Sequence, residues 1–420
     1  MDYRIFPPDG ILEARVVLPL SKSISNRALI INALTAGAAP LPEVAVCDDT
    51  DAMVSALEVE SGTVNIGAAG TAMRFLTAYF AATTVRSEVI IDGSERMRQR
   101  PVGPLVEALR ACGADIEYIG EEGFPPLRIR GQKLTGGDIS IPASVSSQYI
   151  SALLMVAPCM ERGLTLKLEG EIMSVPYIRM TLAMMKQRGA EVEFDERDGI
   201  VKVAPGGYDP SRPLPVEADW SAATFWYEIV ALTAGWVTLA GGLKSDSLQG
   251  DAAACGVFGR LGVSTSWEDV EEGDAELSGN PDADARLDMD MRDTPDMVQA
   301  VVVACAMLGT PFTLSGLDSL RIKETDRLEA LRLELLKTGI AVEITTDVLK
   351  GITMSWDGFR HPIAAAPEFD TYKDHRMAMA FAPVAIFIPG IVIRDAGVVG
   401  KSYPGYWDAL REAGFEIEEV

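Results

Sequence analysis

The sequence predicts an α/β protein of two domains, each assembled from a repeated unit of strands and helices. Three observations lead there. The chain has 420 residues, 48% of them apolar, too long for one ordinary core and suited to two domains of roughly 200 residues. One helix-glycine-strand pattern recurs five times at nearly constant spacing. Prolines and glycines also cluster in PGGYDPSRPLPVEADW, residues 205–220, where a boundary is expected.

The repeated segments are VEALRACGADIEYI, TLAMMKQRGAEVEF, ACGVFGRLGVSTSW, EALRLELLKTGIAVEI and WDALREAGFEIEEV. Each begins as an amphipathic helix and ends in strand-like alternation, and the glycine between suits the left-handed position just past a helix end. These glycines are Gly113, Gly189, Gly262, Gly339 and Gly414, spaced 73 to 77 residues apart. Solenoid repeats are shorter, roughly 20–50 residues, so the period describes a duplicated subdomain of several strands and two helices. Five to six such units fit the length, three to a domain, with the irregular stretch before Gly67 as the first.

Six helices open on polar or cationic clusters. In order, SKSIS opens SNRALIINAL, GAAGT opens AMRFLTAYF, SVSSQ opens YISALLMVA, RDTPD opens MVQAVVVACAML, RIKET opens DRLEALRLELL and YKDH opens RMAMAF. Ser25 or Asn26 can start the first, and Thr294, Pro295 and Asp296 read as N-cap, N1 and N2 of the fourth. Capping accounts for the hydroxyls but not for Lys22, Arg27, Arg74, Lys323, Arg327 and Arg376. A helix start already carries about half a positive charge, so added cations there are unfavourable until an anion arrives, and phosphate or carboxylate ligands are expected.

The rest of the composition narrows the function. A formal charge of −24 argues against nucleic acid or an anionic membrane as partner. Five scattered cysteines without a CxxC pair suggest neither disulfides nor zinc, and so a reducing compartment. The most apolar run, MAMAFAPVAIFIPGIVI, is too short for a bilayer span and holds two prolines. A soluble, cytoplasmic protein is expected. GVVGKS resembles a phosphate loop, but Asp395 stands where its first glycine belongs. No GxGxxG follows a strand, and with only His361 and His375 no histidine-rich metal site is available. Glu324, between Lys323 and Thr325 with Arg327 near by, and Asp296, at a helix start, are candidate proton acceptors; for Asp296, complementing the helix dipole is the plainer alternative.

Taken together, LSKSISNRAL, GAAGTAMRF, DGSERMRQRPVGPLVEAL, SVSSQYISALLM, the PYI of MSVPYIRMTL, RIKETDRL, KDHRMAMAF and GKSYPGYWDAL resemble, in order and over nearly the whole chain, the motif series of the EPSP synthase (3-phosphoshikimate 1-carboxyvinyltransferase) family of enolpyruvyl transferases. The resemblance implies a two-domain inside-out fold of three βαβαββ units per domain, with helix N-termini facing a cleft that closes on substrate. It places residues 20–218 in one domain and 1–19 plus 219–420 in the other. It also implies transfer of enolpyruvate from phosphoenolpyruvate to the 5-hydroxyl of shikimate 3-phosphate by addition and elimination, on the shikimate pathway to chorismate, in a monomer without metal or organic cofactor.

Carried over motif by motif, Lys22, Gly70, Arg96, Gln148, Arg327, Arg376 and Lys401 are implied to hold phosphoenolpyruvate. Ser23, Arg27, Ser146, Ser147, Gln148, Ser174, Tyr177, Asp296 and Lys323 are implied to hold shikimate 3-phosphate. Asp296, Glu324 and Lys22 are the implied catalytic groups, Asp296 as base toward the 5-hydroxyl and Glu324, in relay with a lysine, serving C3. Three positions depart from the family pattern: Ala68 replaces an asparagine, Val175 a lysine and Ser319 an asparagine. Loss of one neutral hydrogen bond at Ala68, about 0.5–1.5 kcal/mol, predicts weaker binding of phosphoenolpyruvate and of mimics such as glyphosate, unless Thr71 substitutes. The alternatives are transfer to UDP-N-acetylglucosamine, disfavoured by Ser23 and by the absence of a cysteine in DGSERMRQRP, and a non-catalytic anion-binding homologue.

Overall fold

A computed structural model describes residues 1–83, 88–143, 146–268, 270–347 and 350–420. The chain divides into two compact units, a split unit of Met1–Leu20 with Glu217–Val420 and an inserted unit of Ser21–Val216. The split unit opens with β1 (Tyr3–Phe6) and β2 (Glu13–Val17). The inserted unit holds α1 (Lys22–Ala33), α2 (Asp48–Glu58), β3 (Gly62–Asn65), α3 (Gly70–Ala82), β4 (Val89–Asp92), α4 (Gly103–Ala111), β5 (Asp115–Tyr118) and β6 (Leu127–Arg130). It continues with β7 (Gly137–Pro142), α5 (Ser147–Val156), β8 (Leu164–Glu169), α6 (Val175–Gln187), β9 (Val192–Asp195) and β10 (Ile200–Val203).

The split unit resumes with α7 (Trp220–Thr233), β11 (Trp236–Ala240), α8 (Ala254–Gly259), β12 (Val263–Ser266), β13 (Ala275–Gly279), β14 (Leu287–Asp290), α9 (Val298–Leu308) and β15 (Phe312–Ser315). It ends with α10 (Arg327–Lys337), β16 (Glu343–Asp347), β17 (Gly351–Trp356), β18 (Glu368–Phe369), α11 (His375–Phe381), β19 (Ile391–Ile393), α12 (Tyr406–Glu412) and β20 (Glu416–Glu419).

The described residues form five four-stranded sheets, β3-β4-β6-β5, β7-β8-β10-β9, β2-β11-β13-β12, β14-β15-β17-β16 and β18-β19-β1-β20. All five share one pattern: the first two strands are parallel and the rest antiparallel. In the last sheet the chain's own first strand completes the repeat, with Tyr3 opposite both Ile393 and Glu419. The repeat glycines Gly113, Gly189, Gly262, Gly339 and Gly414 all have φ between 82° and 101°, and each stands between a helix and the strand that follows it. The stretch before Gly67, expected as an irregular first unit, supplies α1 and α2 together with β1 and β2, which join sheets of the split unit, and β3, which opens the first sheet of the inserted unit.

The core of each unit is helical. Ten of the eleven residues of α9, all seven of α11 and eleven of the thirteen of α3 are buried, as their predominantly apolar sequences favour. By contrast α10 buries six of eleven and keeps Glu329, Arg332 and Lys337 toward solvent. Sheets therefore surround inner helices, and each inner helix opens on its polar cluster. All five cysteines are free thiols. Among the described residues no helix is long and apolar enough to cross a membrane.

Candidate active site

In the inserted unit, α1 starts at Lys22, one turn earlier than Ser25 or Asn26, because Ser21 takes the N-cap and accepts a hydrogen bond from the Ile24 amide. Ser25 and Asn26 are instead buried inside the helix, and Ser25 Oγ accepts from the Ala45 amide at 2.8 Å. Lys22 Nζ lies 3.1 Å from Asp49 Oδ2 at the start of α2. Ser23 follows on the first turn and its carbonyl accepts from Arg27 Nη1.

Arg27 is 2% exposed. Its Nε donates to Thr181 Oγ1 at 2.7 Å and its Nη2 to Ser151 Oγ at 3.2 Å, and it stacks on the rings of Phe75 and Tyr177. Burial lowers it to about 10, so it stays cationic at neutral pH. All three hydrogen-bond partners are neutral, and two of its five N–H donors remain for a ligand. Ser146 caps α5, accepting from the Gln148 amide, and Ser147 is its first residue; the first two residues of SVSSQ lie outside the described residues. Gln148 Nε2 donates to Thr71 Oγ1 at 3.1 Å, which leaves the threonine hydroxyl its own hydrogen to donate.

Gly70, the first residue of α3, lies against the buried Arg100 guanidinium so closely that a Cβ there would stand 2.6 Å from Nη1. Arg74 Nη1 donates to the Gly70 carbonyl, and Ala68, two residues upstream, is exposed. Arg96 is exposed and reaches Gln99 Oε1 at 3.3 Å. Ser174 caps α6 with φ +56°, a left-handed conformation that costs a serine energy, and such strained residues cluster at functional sites. Val175 is the first residue of α6, and Tyr177 packs on Arg27.

The split unit gathers a second constellation. Arg327, 1% exposed at the first position of α10, donates from Nε to Asp374 Oδ2 at 2.7 Å, from Nη1 to Asp296 Oδ1 at 2.9 Å and from Nη2 to Glu324 Oε2 at 3.0 Å. Burial opposes its charge, and the three carboxylates outweigh that and raise it above its ordinary value. Lys401 Nζ reaches Glu324 Oε1 at 2.7 Å. Arg376 donates from Nη1 to the Asp296 carbonyl at 2.9 Å and lies 3.3 Å from its carboxylate. Lys323 Nζ is 3.7 Å from Asp296 Oδ1, and burial lowers its affinity for a proton. Ser319 Oγ is buried without a hydrogen-bond partner among the described residues.

Two further readings of the sequence are corrected. The helix expected to start at Thr294 begins at Val298, with Met297 as its N-cap, because Arg327 and Arg376 hold both the carboxylate and the carbonyl of Asp296 outside the helix. Four of the six cations at the helix starts, Lys22, Lys323, Arg327 and Arg376, are also not left without counter-charge, whereas the hydrogen-bond partners of Arg27 are neutral. Lys22 has Asp49, and Lys323, Arg327, Arg376 and Lys401 share Asp296, Glu324 and Asp374.

Asp49 and Asp374 escaped the reading of the sequence. The signal for Asp374 was its place two residues before Arg376 in KDHR, where it caps α11 through the Arg376 amide. Asp49 sits in an acidic helix start, a solvated face by any local criterion.

The family model for EPSP synthase (3-phosphoshikimate 1-carboxyvinyltransferase) matches residues 56–410. The chain is 50% identical to the 3-phosphoshikimate 1-carboxyvinyltransferase of Bacteroides fragilis strain YCH46, over 100% of this chain and 99% of the relative. It is 35% identical to the Haemophilus influenzae enzyme of that name, over 96% and 97% of the two chains. The EPSP synthase structure from Acinetobacter baumannii superposes with a TM-score of 0.75, covering 100% of both chains at 21% identity, which shows the shared fold. On this sequence, this fold and these two constellations, the chain belongs to the EPSP synthase family.

Proposed function

We propose that the chain is a transferase that moves the enolpyruvyl group of phosphoenolpyruvate to the 5-hydroxyl of shikimate 3-phosphate, releasing phosphate, in aromatic amino acid biosynthesis. The observation that carries this reading is the full-length identity of 50% to an enzyme of that name. The relatives' names and the family description give no support to UDP-N-acetylglucosamine as acceptor.

Both substrates are polyanions, so the protein must place two like-charged molecules together and move protons between them. Shikimate 3-phosphate is assigned to Ser23, Arg27, Ser146, Ser147, Gln148, Ser174, Tyr177, Asp296 and Lys323. Arg27 supports this best, as a buried cation with neutral partners, since such a charge is costly without an anion. Phosphoenolpyruvate is assigned to Lys22, Gly70, Arg96, Gln148, Arg327, Arg376 and Lys401.

Asp296 takes the proton of the 5-hydroxyl as its oxygen attacks C2, and C3 gains a proton to complete the tetrahedral intermediate. Elimination then breaks the C2–O bond to phosphate and removes a proton from C3. Glu324 serves C3 in both steps, in relay with Lys401, whose Nζ lies 2.7 Å from it. Lys22 offsets the phosphate charge as it leaves. The enzyme acts as a cytoplasmic monomer, a reading that free thiols throughout support for the compartment.

The test is to mix the protein with both substrates and follow phosphate release together with the vinyl proton signals of the enol ether. Binding of each substrate with no phosphate from the pair identifies a non-catalytic homologue. An Asp296→Asn variant with undiminished turnover overturns the role of Asp296.

A further inference from the structure

The connection from β18 to α11 is a tight turn built from residues that do not favour it. The Thr371 carbonyl accepts from the Asp374 amide at 2.8 Å across Tyr372 and Lys373, whose φ angles are +53° and +58°. Positive φ at both central residues is the type I′ pattern, which belongs to glycine, asparagine and aspartate. A tyrosine and a lysine there are strained, and such a conformation persists where the surrounding structure over-determines it.

The surrounding contacts come from α10. Glu334, 0% exposed, accepts from the Tyr372 hydroxyl at 2.6 Å through Oε1 and from the Asp370 amide at 2.9 Å through Oε2. Lys337, at the end of α10, pairs with Glu334 Oε2 at 2.7 Å and donates to Asp370 Oδ2 and the Glu368 carbonyl. Burial first, then the bond to Glu334, raise Tyr372 above the ordinary phenol value, so its hydroxyl keeps the hydrogen it donates. Arg327 and Glu334 stand seven residues apart in α10, on one face and about 10 Å from each other along the axis. One helix therefore grips the turn twice, Arg327 at Asp374 and Glu334 at Asp370 and Tyr372.

We propose that Glu334 is a positioning residue for the reaction, holding the strained turn in the conformation that carries Asp374 to Arg327 and Arg376 to Asp296. Asp374 directly follows the two strained residues; its carboxylate meets Arg327 and caps α11 through the Arg376 amide, and Arg376 in turn holds the Asp296 carbonyl. Released from Glu334, Tyr372 and Lys373 relax toward negative φ, and the two groups behind them lose their aim. Neither Glu334 nor Tyr372 need touch a substrate. The inference rests on the proposed assignment of Arg376 to phosphoenolpyruvate.

The experiment is steady-state kinetics on the unaltered enzyme and on Glu334→Gln, Tyr372→Phe, Lys373→Gly, the Tyr372→Phe/Lys373→Gly double variant and Arg376→Ala. Tyr372→Phe keeps the ring and removes the tether. KM for phosphoenolpyruvate is expected to rise about 3- to 10-fold, as for one hydrogen bond lost, with KM for shikimate 3-phosphate within twofold. Glu334→Gln should move the same constant in the same direction. Lys373→Gly, at an exposed side chain, relieves the strain at one residue and should keep the parent's constants; added to Tyr372→Phe it should bring KM back toward the parent value, a rescue that a merely structural contact would not show. Parental KM for phosphoenolpyruvate in folded Glu334→Gln and Tyr372→Phe, with a raised value in Arg376→Ala, overturns the inference and leaves the assignment of Arg376 standing. A double variant no better than Tyr372→Phe also overturns it, because the hydroxyl then acts other than by holding the turn. Should Glu334→Gln not fold, Tyr372→Phe and the double variant decide. An unchanged KM in Arg376→Ala overturns the assignment and the inference together.

Discussion

Arg327 and Asp374 form an ion pair at 2.7 Å with side chains 2% and 0% exposed. Because the same guanidinium holds Asp296 and Glu324 on its remaining nitrogens, this pair fixes the orientation of both proposed proton-transfer groups. Removing one partner of a buried pair typically costs about 3–5 kcal/mol. Asp374→Ala is therefore expected to lose stability of that order in urea unfolding, together with the cap of α11. Asp374→Asn should keep the cap and still lose kcat, and a loss below about 1 kcal/mol in Asp374→Ala would show that Arg327 does not depend on it.

Glu324 and Lys401, 2.7 Å apart, should behave as one proton-transfer unit. General acid–base groups contribute about 10²–10⁴ in rate, so Glu324→Gln and Lys401→Met are each expected to cut kcat by that order. The double variant should fall little further, because removing either member already breaks the relay. Steady-state kinetics of the four proteins measures this, and multiplicative losses reject the relay.

At Ala68 the restored asparagine amide is expected to add one hydrogen bond to phosphoenolpyruvate. Ala68→Asn should lower KM for phosphoenolpyruvate by about 2- to 10-fold, the equivalent of 0.5–1.5 kcal/mol, and strengthen glyphosate inhibition in parallel. KM for shikimate 3-phosphate should not change. Identical constants in the variant would mean that Thr71 or Arg100 already fills the place of the missing donor.

Glu228 lies at 0% exposure inside α7, and neither carboxyl oxygen has a hydrogen-bond partner among the described residues. Burial raises it well above the ordinary glutamate value, so it is neutral when folded and ionised when unfolded over the pH range between. Its stabilising contribution is whole below the unfolded value and shrinks as pH rises toward the folded one, by about 1.4 kcal/mol per pH unit. Glu228→Gln removes that slope. The variant should match the parent near pH 4.5 and exceed it by up to about 3 kcal/mol near pH 7, as followed by thermal unfolding at both values. An equal difference at the two pH values would count against a neutral Glu228.

The repeat could be read from the chain because it is local: a helix end that needs a left-handed residue demands glycine wherever it recurs, and Gly113 through Gly414 record the five places. Lys22, Arg327 and Arg376 likewise stood out as cations at helix starts, since that placement is unfavourable within the helix itself. The Thr294 start was misread because a capping signature describes only its own segment, whereas Arg327 lies 31 residues and Arg376 80 residues beyond Asp296 and take its oxygens.

The sequence by itself therefore determined the α/β repeat, the polar openings of the inner helices and, through its motifs, the family. Only the tertiary structure decided how those charges are shared. Asp49 and Asp374 look like ordinary surface acids or caps in their own segments. Folding buries each beside a cation from a distant segment, and once water is excluded the strength of those interactions depends on which groups meet rather than on which are neighbours in the chain.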